Sequence, residues 1–159
     1  MLLTIICIIL ITAAIVLSFF SAAYASAPAF LALCVAGMSP GLSLSAGTYI
    51  FWSVAMILVL ALNFMLPPQI ASSRRGLPYI AGASLAGVSV AMSVMSHAAI
   101  ITGAVFGAVL GSVAYGRTPR GRGLGFPSAK FLNYMCAKGL PVAITMSIAG
   151  IATAYICNY

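Results

Sequence analysis

Apolar runs long enough to cross a bilayer constrain this chain more than any other feature. Leu2 to about Ala23, Thr48 to Leu66, Leu77 to Val94, Ala98 to Tyr115 and Gly139 to Cys157 contain no charged residue. A spanning helix needs about 20 such residues, because its backbone must satisfy its own hydrogen bonds where no water can. A shorter run, Ala29 to Met38, ends in the breakers Gly37, Pro40 and Gly41. It either crosses with help from its flanks or dips in and returns against shielding protein. The expected fold is all-α, a polytopic transmembrane helical bundle of five to six spans, with residues 1–159 forming a single integral membrane domain.

Composition agrees. Of 159 residues 64% are apolar and 4% charged, where a soluble domain of this length would carry about 40 charged residues. Soluble globular folds are thereby excluded. All 7 charged side chains are Lys or Arg, with no Asp or Glu, giving a net charge of +7. Apolarity alone does not explain this asymmetry, since Lys and Arg are as costly in hydrocarbon as Asp. Loop cations orient a membrane protein, and attraction to anionic lipid or an acidic partner supplies the remaining reason for their excess. The missing carboxylates exclude paired-carboxylate acid–base chemistry, Asp-supported triads, oxygen-ligand Ca²⁺ or Mg²⁺ cages and carboxylate proton relays.

The first run precedes Ala25-Ser26-Ala27-Pro28, which looks like a signal-peptide cleavage site. No Lys or Arg precedes the run, as a signal peptide requires, so a retained transmembrane helix is expected. Tyr49 and Trp52 near the start of the third run suit an interfacial aromatic belt, and Pro67-Pro68 close that run. A single helix over residues 77–115 would be about 58 Å long, twice the hydrocarbon thickness. Two antiparallel helices joined by a tight turn at Ser96-His97 are expected instead.

Two crossings then separate Arg74 and Arg75 from Arg117, Arg120 and Arg122, so both basic loops share one side, the cytoplasm by the positive-inside rule. Pro127 suits the first turn of the last helix. Lys130, Tyr134 and Lys138 recur every four residues, so residues 128–138 are expected to lie at the interface with basic groups reaching headgroups. Pro141 is expected to kink the helix or mark where its inserted part begins. The C-terminus is predicted outside the cytoplasm. The N-terminus is also outside with six spans, and inside if the second run is re-entrant.

Gly103, Gly107 and Gly111 repeat at intervals of four, and Ala83, Gly87 and Ala91 do the same on the preceding helix. Stripes without bulky side chains let backbones approach, the main route to tight association between helices in lipid. Facing stripes would make a close-packed glycine-zipper hairpin; the alternative is a self-association surface or a pore lining. His97 is read as an interfacial turn residue capping a helix end, since no second His, acid or nearby Cys completes a metal site or proton pair. Cys7, Cys34, Cys136 and Cys157 are scattered, so neither a metal site nor a cofactor is expected. Ser43, Ser45, Ser72, Ser73 and Ser128 lack a partner base, so no nucleophilic catalysis is expected. The Gly-interleaved arginine loop is read as facing anionic lipid, not nucleic acid.

The order of motifs resembles a bacterial family of small multispan proteins, domain of unknown function 456. The resemblance rests on Leu62-Asn63-Phe64-Met65-Leu66-Pro67-Pro68, on Ser72-Ser73 with a basic stretch and Gly76, on the Gly82/Gly87 helix, on Gly103 to Gly111, and on Lys138. It covers roughly residues 45–150 and, more loosely, Met38 to Gly41. Where that family has Asp and Glu, this chain has Asn63 and Ser112. The resemblance implies a membrane fold with glycine-zipper packing and no particular activity.

Together these readings predict a non-enzymatic integral protein of the bacterial inner membrane. It would act by helix packing, as a homo-oligomer or as an accessory or scaffold subunit of a membrane complex. Arg74, Arg75, Arg117, Arg120, Arg122, Lys130 and Lys138 would contact anionic lipid or a partner. The alternative is a passive pore or transporter for anions or small neutral solutes, with the arginine loop at its mouth.

Overall fold

The computed structural model describes residues 2–38, 44–65, 75–94 and 96–157. Pro40, Gly41, Ser43, Pro67, Pro68, Ser72, Ser73 and Arg74 lie outside the described residues. The described chain forms helices α1 (Leu2–Phe20), α2 (Ser26–Gly37), α3 (Ala46–Met65), α4 (Leu77–Met92), α5 (His97–Gly116) and α6 (Ala129–Cys157), with no strand among the described residues. Four of them, α1, α3, α5 and α6, are long and apolar enough to cross a membrane. With 12 residues α2 is too short for this, being about 18 Å long against about 30 Å of hydrocarbon.

Small side chains set the helix pairings. Ala14 of α1 and Ala29, Ala32 and Ala36 of α2 are all buried, and the Cys7 thiol of α1 donates to the Ala32 carbonyl of α2 at 3.2 Å. The closest approach is between α4 and α5. A Cβ at Gly103 would lie 2.5 Å from Gly87 O and 2.8 Å from Ala91 Cβ; one at Gly107 would lie 2.6 Å from Ser84 Cα and overlap Ala83 O; one at Gly111 would lie 2.7 Å from Ile80 Cα and overlap Tyr79 O. Each step of four forward on α5 is met by a step of four backward on α4, so the two helices run antiparallel. Ser84 adds a link across the pair, donating to Ala104 O at 2.7 Å.

The last helix is the core of the bundle, a role its sequence does not announce. Every residue of α6 from Thr145 to Ala152 is buried, and α6 touches each of the other five helices. A helix apolar all round belongs inside. Gly150 lets α6 close on the α4–α5 pair, since a Cβ there would meet Val88 Cγ1 at 2.6 Å and Ile100 Cγ2 at 2.8 Å. The buried hydroxyls of Ser18, Ser26, Ser112, Thr145 and Ser147 each donate to a carbonyl three or four residues back. No buried side-chain nitrogen or oxygen among the described residues lacks a partner.

Two local expectations are corrected. Trp52 does not join an outward aromatic belt: it is 4% exposed, and with Val59, two turns on, it forms the only buried stripe of α3. Pro127 lies one residue before the α6 cap, outside the first turn, because Ser128 is the N-cap, its hydroxyl accepting from Phe131 N–H at 3.2 Å.

Candidate functional site

The chemistry-bearing side chains gather at one end of the bundle, where α4 begins, α5 ends and α6 begins. Gly76 caps α4 with φ of +82°, a conformation that L side chains resist. Its missing side chain also leaves room for Tyr134 and Tyr115, whose hydroxyl and ring occupy the place of a Cβ. This turn points the Arg75 carbonyl toward α6, where it accepts from the Tyr134 hydroxyl at 3.0 Å and from Lys138 Nζ at 2.9 Å. Tyr134 stacks on Tyr115 with centroids 5.8 Å apart, and Tyr115 meets Tyr79 at 5.9 Å. Lys138 Nζ lies 5.0 Å from the centre of the Tyr134 ring. A carbonyl and an aromatic face are the groups that make a buried ammonium tolerable.

Lys138 therefore departs from the expected outward basic face: it is 1% exposed, while Lys130 is exposed. Between Tyr134 and Pro141 the helix widens into a π turn, Met135–Gly139, in which Leu140 N–H donates to Met135 O. All three of Ala137, Lys138 and Gly139 are buried in this turn. A spacing of four maps residues to one face only while the helix stays regular, and the packing of Tyr134 and Lys138 against the Arg75 turn decides their side. Sequence reasoning also missed the tyrosines as a group. Their available signal was position, since Tyr79, Tyr115 and Tyr134 each sit where an apolar run meets a basic loop.

The second basic loop folds onto the same end. After α5, the Thr118 hydroxyl donates to Tyr115 O at 2.6 Å and accepts from Gly121 N–H at 3.2 Å. Gly121 sits against the Tyr115 carbonyl with no space for a Cβ. Arg117, Arg120 and Arg122 are exposed around this turn. Between the loops lies a groove of about 500 Å³ lined by Arg75, Gly76, Pro78, Tyr79, Tyr115, Thr118, Pro119 and Arg120. Arg75 and Arg120, from the loops before α4 and after α5, thus share one end of the bundle, and Arg74 lies outside the described residues.

The remaining candidates sit elsewhere. Gly103 faces Gly87 and Ala91, Gly107 faces Ala83 and Ser84, and Gly111 faces Tyr79 and Ile80 within the chain, so those glycines are not spread on an outer surface. His97 opens α5 after Ser96, and its ring lies 5.3 Å from Tyr155 near the end of α6. Asn63 is half-buried on α3, and Ser112 is buried with its hydroxyl on Ala108 O. A second groove, about 310 Å³ and almost wholly apolar, runs between Phe51, Trp52 and Leu58 of α3, Ile101 and Val105 of α5, and Leu140 and Ile144 of α6.

Chemically, the basic end can hold an anion and pack aromatic rings. The Thr118 and Tyr134 hydroxyls there donate to backbone carbonyls. Comparisons with protein-family models, curated proteins and solved structures find no match to this chain.

Proposed function

We propose that this chain is an integral membrane protein of the bacterial inner membrane that acts by helix packing, as a homo-oligomer or as an accessory subunit of a membrane complex, with its basic end in the cytoplasm. The observation that carries this reading is the filled interior. The centre of the bundle is the stretch of α6 from Thr145 to Ala152, buried on every side, and the described buried hydroxyls are turned onto backbone carbonyls instead of lining a polar path. The antiparallel contact of α4 and α5 supports a glycine zipper that rigidifies the chain itself. The shared order of motifs with domain of unknown function 456 fits the same reading.

The face offered to other helices is then α3. Only Trp52 and Val59 of its 20 residues are buried, while Ile50, Phe51, Val54, Ile57 and Leu58 are exposed. Lipid solvates such a face, and so does a neighbouring helix. Blue-native electrophoresis in mild detergent, combined with disulfide crosslinking of Ile57→Cys in a background without other cysteines, tests the proposal. A discrete oligomer or complex is expected, and a strictly monomeric, partnerless species overturns it.

The pore alternative draws no support from the glycine stripe, which lies against α4. Reconstituted liposomes are expected to show solute flux no greater than empty vesicles.

A further inference from the structure

We infer that the groove between the two basic loops is a binding site for the phosphate-bearing headgroup of an anionic phospholipid, held between Arg75 and Arg120. The site is independent of whether the chain self-associates, because it is built within one copy.

Three observations carry this. First, Arg75 and Arg120 lie 45 residues apart in sequence and line one groove, so folding brings cationic residues of both loops to one site. The chain contains no Asp or Glu side chain with which either guanidinium could pair, so no acidic side chain of its own competes with an anion for this groove. Second, the groove measures about 500 Å³, within the range of about 300–1,000 Å³ typical of small-molecule sites. Its floor is closely packed: Gly76 is wedged against Tyr115 and Tyr134, and Thr118 ties the loop back onto Tyr115. The start of α4 also opens at this groove, and its dipole favours negative charge. Third, the wall is amphipathic in the sense a lipid requires. Tyr79 is 50% exposed at the start of α4 and lines the groove together with Pro78, Pro119 and Tyr115, beside Arg75 and Arg120, so apolar and aromatic wall adjoins cationic residues. Tyrosine at that boundary is the side chain that suits headgroup depth. A free inorganic anion would use the arginines and leave this apolar wall without a purpose.

Native mass spectrometry of the detergent-solubilised full chain tests the assignment. Phosphatidylglycerol and phosphatidylcholine are offered separately to the unaltered chain and to the exposed-site variants Arg75→Gln/Arg120→Gln and Lys130→Gln. Phosphatidylglycerol is expected to be retained over phosphatidylcholine. Retention is expected to fall about tenfold or more in the double variant, as loss of two charge-assisted hydrogen bonds implies, and to persist in Lys130→Gln. A thermal melt of each variant separates lost binding from lost fold, and Arg120→Gln alone, altered only in an exposed loop, is expected to show an intermediate loss. Equal retention of both lipids, or equal loss in Lys130→Gln and the double variant, overturns the site. Displacement of phosphatidylglycerol by millimolar inorganic phosphate would identify a free anion as the ligand and overturn the lipid assignment.

Discussion

The Lys138 ammonium donates to the main-chain carbonyl of Arg75 at 2.9 Å, so a buried cation on α6 holds in place the turn that carries an exposed one. Arg75 thereby has two roles: its carbonyl ties the start of α4 to α6, and the residue lines the groove between the loops. Lys138→Met keeps the aliphatic stem and removes the ammonium. The expected loss is about 1.5–3 kcal/mol, the usual range for a hydrogen bond to a charged group, while the Tyr134 hydroxyl still donates to the Arg75 carbonyl. Thermal unfolding in mild detergent measures it. Lys130→Met, at an exposed position, is expected to stay within about 0.5 kcal/mol of the unaltered chain. If the two variants melt alike, the ammonium does not hold the turn.

The contact of α4 and α5 makes glycine positions unequal. At Gly107 a methyl group would collide with backbone atoms of Ala83 and Ser84, which cannot swing aside. At Gly82 nothing lies within 4 Å of the added Cβ. Gly107→Ala is expected to destabilise by about 1–3 kcal/mol, the usual cost of overpacking. Gly82→Ala is expected to be neutral or to stabilise by up to about 1 kcal/mol through helix propensity. Unfolding in graded denaturing detergent ranks the pair, and the reverse order would refute the observed facing of the stripes.

Ser84 tests how much polar glue adds to that contact. Its bond to Ala104 O crosses from α4 to α5. Interhelical hydrogen bonds in membrane proteins average about 0.6 kcal/mol, so Ser84→Ala is expected to cost less than Gly107→Ala. A larger loss from the serine would mean that hydrogen bonding, not backbone approach, holds the hairpin.

Gly76 is doubly constrained, by its φ of +82° and by the two tyrosines over it. Gly76→Ala is expected to cost more than about 1 kcal/mol, because Ala resists positive φ and meets a filled space. Gly123→Ala, in the other basic loop, meets nothing within 4 Å and is expected to leave the melting temperature unchanged. Comparable melting of the two variants would remove Gly76 from its place at the site.

Trp52 is the only tryptophan, so its fluorescence reports on α3 alone. A buried indole is expected to be quenched weakly by lipids brominated along their acyl chains. Phe51→Trp in a Trp52→Phe background, which moves the indole to an exposed position on the same helix, is expected to be quenched strongly. Equal quenching would show that α3 does not seat Trp52 against the bundle.

By itself, the sequence determined the all-helical architecture with helices long and apolar enough to cross a membrane, the hairpin at Ser96-His97 and the stripes of small residues. Each of these follows from length, charge or volume, quantities that do not depend on neighbours. Only the tertiary structure decided that α6 is the core, that Trp52 and Lys138 turn inward, and that Tyr79, Tyr115 and Tyr134 form one cluster. The physical reason is that lipid tails are as apolar as a protein interior, so hydrophobicity does not separate an inward face from an outward one. Helix α6 and helix α3 are both apolar, yet one is enclosed and the other mostly exposed. Lys138 shows the converse: a charge expected to seek the surface is held inside by a carbonyl 63 residues away in the chain, a partner that spacing along one helix does not reveal.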